Sequence, residues 1–215
     1  MAIKNEREYR NFEVRALDPA EAADERKIVR GYASTFNNVY VLFSGEDYEL
    51  RERMDGHAFD ETDMSDVIMQ YNHEGRVFAR ESNGTLKVSP DERGLAIEAD
   101  LGGTDIGRQL YEEIAGGYTN KMSIGFKVDP SKDTWNRITE GDKIIETRTI
   151  NKVVKLYDVS AVSIPANDAT SISVRTLVDG AIEQIRSERA EAEKRAADIA
   201  KLKLKIKLSG GTNGN

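Results

Sequence analysis

Ser123 lies in Lys121-Met122-Ser123-Ile124-Gly125-Phe126, downstream of Tyr71-Asn72-His73-Glu74 and upstream of Leu156-Tyr157-Asp158-Val159-Ser160. A hydroxyl, an imidazole and a carboxylate are the parts of a nucleophilic hydrolytic site: a weak nucleophile, its base, and the group that orients the base. The chain has 2 histidines, so the base of such a site is His73 or His57. Ser160 and Ser163 offer hydroxyls of the same chemistry. His57, in Met54-Asp55-Gly56-His57-Ala58-Phe59, reads as a turn or surface histidine. The carboxylate pairs Asp91-Glu92 and Glu112-Glu113 read as solvated turn and helix residues. No metal constellation, phosphate loop or GxSxG elbow is present, so neither a metal nor a cofactor is expected.

Strand alternation assigns faces to these residues. In Val67 to His73 it puts His73 with Val67, Met69 and Tyr71. In Val154 to Val162 it puts Asp158 with Val154, Leu156 and Val162. An ionised carboxylate on an apolar face is costly unless it is paired, and an imidazole would satisfy it while its own tautomer is fixed in return. Ser123 and Gly125 fall opposite Ile124, Phe126 and Val128, so the hydroxyl is expected on the less apolar face. The glycine beside it permits close approach of another chain. A strand serine beside glycine is, on the plainer reading, just a small polar residue.

The elements that must position these groups are mostly strands. Phe12, Val14 and Ala16 alternate with Glu13 and Arg15, and Leu95, Ile97, Ala99 and Leu101 with Ala96, Glu98 and Asp100. Residues 27–36 and 143–164 read the same way. One helix is expected from about Thr104, its cap, to Ala115, with Ile106, Leu110 and Ile114 as its stripe and Gly116-Gly117 as its stop. Many strands with few helices suggest a closed or nearly closed β-barrel, because closure removes exposed edges. The expected class is α+β, mainly β, with a C-terminal helical tail.

Composition sets the frame. At 215 residues the chain has room for one substantial core and an appendage, or for two small domains. Hydrophobic residues make up 39% and charged residues 32%, which suits a soluble body with a polar extension. With no cysteine, disulfides, thiolate metal sites and a cysteine nucleophile are excluded. A net charge of −7 argues against general nucleic-acid binding. No apolar run approaches the ~20 residues of a membrane span, and Met1 to Asn5 lacks the apolar core of a signal peptide. A cytosolic protein with no membrane partner is expected.

After Arg175 the character changes. Residues 179–200 are rich in Ala, Glu, Arg and Lys, and Ile182, Ile185, Ala192, Ala196 and Ile199 form a weak seam that Arg189 interrupts. Lys201 to Leu208 then alternates lysine with Leu or Ile, ahead of a Gly/Asn-rich end expected to be disordered. The domain boundary is placed near Thr176, giving residues 1–176 and a Lys-rich tail, 177–215. The tail is expected to be a docking element for a helical scaffold.

The ordered set Arg30 to Phe36, Gly56 to Phe59, Asn72-His73-Glu74, Gly94-Leu95, Met122 to Phe126 and Val159 to Asn167 resembles the prohead (capsid maturation) proteases of tailed bacteriophages. These serine peptidases are similar in fold to the herpesvirus assemblins. The resemblance spans roughly residues 30–175. It implies His73 as base and Ser123 as nucleophile. Where phage members typically carry Glu this chain has Asp158, the favoured orienting acid, with His57 a minor alternative that would require a different topology. The herpesvirus enzymes use a second histidine after the serine, and this chain has none there. Arg76, Arg80 and Arg175 are the basic candidates for supporting the oxyanion loop. The implied substrates are the scaffold or the scaffolding segment of the major capsid protein, and the protease itself, inside an assembling prohead in the host cytoplasm. Self-association is a further possible partnership. The alternative is a catalytically silent capsid-assembly module of the same fold.

Overall fold

The computed structural model describes residues 8–16, 26–163 and 172–209, with side-chain surroundings for 26–163 and 178–205. The chain divides into two compact units, Ala2–Arg175 and Thr176–Asn215. The strands of the first are β1 (Glu8–Ala16), β2 (Ile28–Thr35), β3 (Tyr40–Ser44), β4 (Tyr48–Met54), β5 (Ile68–Tyr71) and β6 (Glu74–Arg80). They continue with β7 (Leu86–Pro90), β8 (Gly94–Asp100), β9 (Lys121–Val128), β10 (Thr134–Glu140), β11 (Lys143–Ile150) and β12 (Val153–Val162). One helix, α1 (Asp105–Ala115), lies between β8 and β9.

The strands form an eight-stranded sheet in the order β6-β5-β12-β9-β1-β2-β8-β7 and a four-stranded sheet in the order β10-β11-β4-β3. Only residues 81–85 join β6 to β7, the two end strands of the larger sheet. Laid flat, eight strands would separate those ends by about 34 Å, more than so short a connection spans. The sheet therefore curls. It does not close, since no pairing links β6 to β7, so the closed form of the expected barrel is corrected, and a separate four-stranded sheet accompanies the curled one. The end strands carry Glu74, Arg76 and Arg80 on β6 and Lys87 and Pro90 on β7, residues that keep an edge from pairing.

The apolar face of the curled sheet makes the core. Met122, Ile124 and Phe126 of β9, Leu156, Val159 and Ala161 of β12, and Leu95, Ile97 and Ala99 of β8 are all buried in one cluster. Met54 and Ile150, at the ends of β4 and β11, tie the second sheet into it. Gly94 is required where β8 meets a bulge in β2, because a Cβ there would lie 2.0 Å from the Ser34 carbonyl oxygen.

Helix α1 forms as its caps dictate. Thr104 Oγ1 accepts from the Gly107 amide at 3.1 Å. At the other end Tyr118 N donates to Glu113 O and Gly117 N to Ile114 O, with Gly117 at φ 76, which is the Schellman pattern. Leu110, Tyr111 and Ile114 bury the inner face.

Of the second sheet, β11 falls within the stretch 143–164 expected as strand, while charge interrupts the alternation of β4 and β10. Arg148 is 1% exposed and is held by Glu52 at 3.0 Å and Asp133 at 2.7 Å, while Tyr40 Oη donates to the same Glu52 at 2.6 Å. Nearby, Glu49 accepts from Lys143 at 2.8 Å and Arg51 at 2.6 Å, which hold its carboxyl down at about 2.

The second unit is mostly helix: α2 (Ile172–Ser209), which begins just before it, is one continuous helix of 38 residues. It runs through residues 201–208, so the lysine alternation there is spread around a helix and makes no two-faced strand. Ile199, Leu202 and Leu204 are exposed on it. The Gly/Asn-rich end expected to be disordered lies outside the described residues.

Candidate active site

His73 and Asp158 meet. His73 Nδ1 lies 2.6 Å from Asp158 Oδ1, with the imidazole 15% exposed and the carboxylate 0%. An ionised carboxylate only accepts, so Nδ1–H donates, and Nε2 is the ring nitrogen left for proton transfer. Ser160 Oγ donates to the same Oδ1 at 2.6 Å. Two donors on one oxygen compensate for removing this charge from water.

The local geometry differs from plain alternation at both partners. In β12, Leu156 faces Phe126 across the ladder, but Asp158 faces Gly125, so Tyr157 is the extra residue of a bulge. From there Val159 opposes Ile124, Ser160 opposes Ser123 and Ala161 opposes Met122. Asp158 and Ser160 therefore share the face of Gly125 and Ser123, opposite the core-facing Leu156, Val159 and Ala161. A second shift lies between Val153 and Lys155, and Val154 is 38% exposed. The expected grouping of Asp158 with Val154 and Leu156 is thereby corrected.

His73 is likewise not a strand residue on the face of Met69. Tyr71 pairs with Glu74, and the two residues between them, Asn72 and His73, have φ 52 and 61. Both central residues in the left-handed region make a type I′ hairpin turn. Asn is favoured at the first position, but glycine usually holds the second, so His73 there costs about 1–2 kcal/mol. The turn swings the imidazole off the β5 alternation and onto the Asp158 face.

Ser123 is placed on that face, directly across β9–β12 from Ser160. Cross-strand neighbours of this kind have Cβ atoms about 5 Å apart. It is 0% exposed, and its Oγ is a buried atom without a hydrogen-bond partner. The Oγ–imidazole hydrogen bond of a charged and aligned nucleophile is therefore not formed in this structure. Such bonds are often loose before substrate arrives.

The other candidates lie apart. The His57 side chain is 87% exposed and sits 3.1 Å from Asp60, as expected of a turn histidine. Ser163 pairs with Asn72: its amide donates to Asn72 Oδ1 at 3.1 Å, and its hydroxyl lies 3.3 Å from Asn72 Nδ2. Arg76 is exposed on β6, and Arg80 lies 3.4 Å from Asp66. The Arg175 side chain lies outside the described residues. Among the described residues no cluster of His, Cys, Asp or Glu is arranged to hold a metal ion, and no helix is long and apolar enough to cross a membrane.

Two residues acquire significance only here. Ser160 shares the carboxylate oxygen of the histidine, a role legible only once the bulge puts Asp158 and Ser160 on one face. Asn72 opens a left-handed turn, and Asn at the start of a two-residue loop was the signal available for it.

A model of the caudovirus prohead serine protease family matches residues 10–184 of the chain. No curated protein and no solved structure gives a match. The matched span includes His73, Ser123 and Asp158 together with nearly the whole strand body, and the chain belongs to the caudovirus prohead serine protease family.

Proposed function

We propose that this chain is a prohead maturation endopeptidase in which Ser123 is the nucleophile, His73 the general base and Asp158 the acid that orients it. The observation that carries the reading is the 2.6 Å contact of His73 Nδ1 with a fully buried Asp158, on the sheet face that also bears Ser123. Membership of a serine peptidase family supports the same chemistry.

In this mechanism His73 Nε2 takes the Ser123 proton as Oγ bonds to the substrate carbonyl carbon. The imidazolium, stabilised by Asp158, then gives that proton to the departing amine as the C–N bond breaks. Water repeats the sequence on the acyl-enzyme and frees Ser123. Ser160 keeps the carboxylate in place. The substrates proposed are the scaffold or the scaffolding segment of the major capsid protein, and the protease itself, within the assembling prohead in the host. The protease domain is assigned to residues 1–176, and the lysine-bearing tail, 177–215, docks the enzyme to its scaffold.

A silent assembly module is the second reading, favoured by the zero exposure of Ser123. Fluorophosphonate labelling separates the two. An active enzyme is labelled at Ser123 and cleaves co-expressed capsid precursor. A protein that takes no label and leaves the precursor intact is the silent module.

A further inference from the structure

The base of this site is carried by a strained two-residue turn, and something must hold that turn against the strand bearing its acid. Asn72 is joined to the end of β12 through both backbone and side chain. Its backbone amide donates to Ala161 O at 2.9 Å, its Oδ1 accepts from the Ser163 amide at 3.1 Å, and Ser163 Oγ lies 3.3 Å from both Nδ2 and Oδ1. Ala161 and Ser163 stand on either side of Val162, just beyond Asp158 and Ser160 on the same strand.

We infer that Asn72 is a positioning residue of the site, latching the left-handed turn of His73 to the far end of the strand that carries Asp158. The inference rests on the protease reading above. The turn alone does not specify its own place. A hairpin turn is free to pivot about its strand ends, and the pairing of β5 with β6 shifts between Met69 and Tyr71, immediately before it. β5 pairs in parallel with β12 only as far as Tyr71 opposite Ala161. Beyond that pair the ladder ends, and the Asn72 connections continue it for the residues that place the imidazole. The side chain does so with amide geometry, presenting an acceptor to one backbone N–H and a donor to the adjacent hydroxyl. The same residue tolerates φ 52, so conformation and latch are joined in one side chain.

Three substitutions in the full chain separate these contributions. Asn72→Gly keeps the left-handed backbone and the amide bond to Ala161 O, and deletes the side-chain part of the latch. Asn72→Asp keeps the acceptor for the Ser163 amide. Asn72→Ala loses both the acceptor and the backbone preference. Asn72→Gly is expected to lower kcat by roughly 10- to 100-fold with KM unchanged, the loss typical of a reacting group misplaced by a fraction of an ångström to one ångström. Asn72→Asp is expected to restore most of it. The ring Nδ1–H proton signal gives a direct reading, and with 2 histidines in the chain it is assigned by one substitution, His57→Ala. It should be present in the parent protein and Asn72→Asp, and lost to exchange in Asn72→Gly while the backbone amide spectrum is retained.

Wild-type kcat and an unchanged ring signal in Asn72→Gly would overturn the latch. A lower melting temperature with the ring signal intact would also overturn it, by showing a merely structural role. Failure of the protease reading looks different: Ser123→Ala would then cleave as well as the parent, whatever the ring signal shows.

Discussion

Leu156 and Asp158 are two residues apart in one strand and point to opposite faces of the sheet. Their cross-strand partners, Phe126 and Gly125, are adjacent in β9, and Tyr157 is the bulged residue between them. Were Tyr157 paired regularly with Gly125, Asp158 would fall opposite Ile124 and project into the core beside Leu156. With Tyr157 bulged, the carboxylate stands on the face of Ser123 and accepts the His73 ring. A bulge here re-aims a side chain, the use to which bulges beside active sites are commonly put.

Ser123→Ala is expected to abolish cleavage of the capsid precursor and labelling by a fluorophosphonate, with the melting temperature little changed. It removes one hydroxyl without opening a large cavity. Ser160→Ala should lower turnover and leave labelling of Ser123 in place, because Ser160 Oγ is committed to Asp158. Cleavage that survives Ser123→Ala and is lost in Ser160→Ala would move the nucleophile to Ser160.

Asp158→Asn should fold and turn over very slowly. The amide presents an N–H as readily as an oxygen to Nδ1, so the imidazole can be held in the wrong tautomer, and losses on the order of 10⁴ in kcat follow in triads of this kind. His73→Ala should be comparably damaging, because members of such a unit are not additive. His57→Ala should cleave like the parent, its ring being 87% exposed beside Asp60. Steady-state kinetics on a peptide from the precursor read all three.

Tyr157 can be tested by deletion. Removing it should let Asp158 follow Leu156 directly, still opposite Gly125 and now in regular alternation, so the carboxylate keeps its face and its His73 contact. Soluble yield and fluorophosphonate labelling of Ser123 should therefore survive the deletion. Loss of labelling with the fold retained would show that the bulge does more than absorb one extra residue.

Glu49 gives the second sheet a pH signature. Lys143 and then Arg51 hold its carboxyl at about 2, below the ~4.3 of an unfolded Glu. The folded state therefore binds the proton less readily than the unfolded one. The stabilisation is present above the unfolded value and is lost as pH falls from there through about 2. Glu49→Gln lacks this component, so its melting temperature should drop less than that of the parent between about pH 5 and about pH 2. Equal drops would remove Glu49 from the acid response.

Arg148→Met should test the buried network from the other side. It leaves Glu52 and Asp133 without their guanidinium at near-zero exposure, and a loss of about 3–5 kcal/mol in denaturant unfolding is expected. Replacing all three by apolar residues should recover part of it. A single substitution with no measurable cost would mean that the carboxylates find other partners.

The local sequence determined most of the strands and the one short helix. Alternation in residues 94–101 survives in β8 because its Leu95, Ile97 and Ala99 bury one regular face. In β9 the apolar Met122, Ile124 and Phe126 keep to one face, although Ser123 on the other is buried too. Thr104 and Gly117 delimit α1 through bonds that involve only neighbours in the chain. The chemistry-bearing types were equally visible, since a chain with 2 histidines offers few choices of base. Register, closure and face were decided by the tertiary structure. A bulge at Tyr157 depends on which residues of β9 lie opposite, and the turn at Asn72-His73 depends on where β6 returns. The larger sheet stays open because β6 and β7 do not pair, a long-range outcome that alternation within either strand does not encode. The interior of the second sheet was hidden, although its β11 was read as strand, because Arg148, Glu52 and Glu49 are charges by composition and interior groups only once their partners surround them. A side chain's type is local, but its face and its partner are fixed by a chain many residues away.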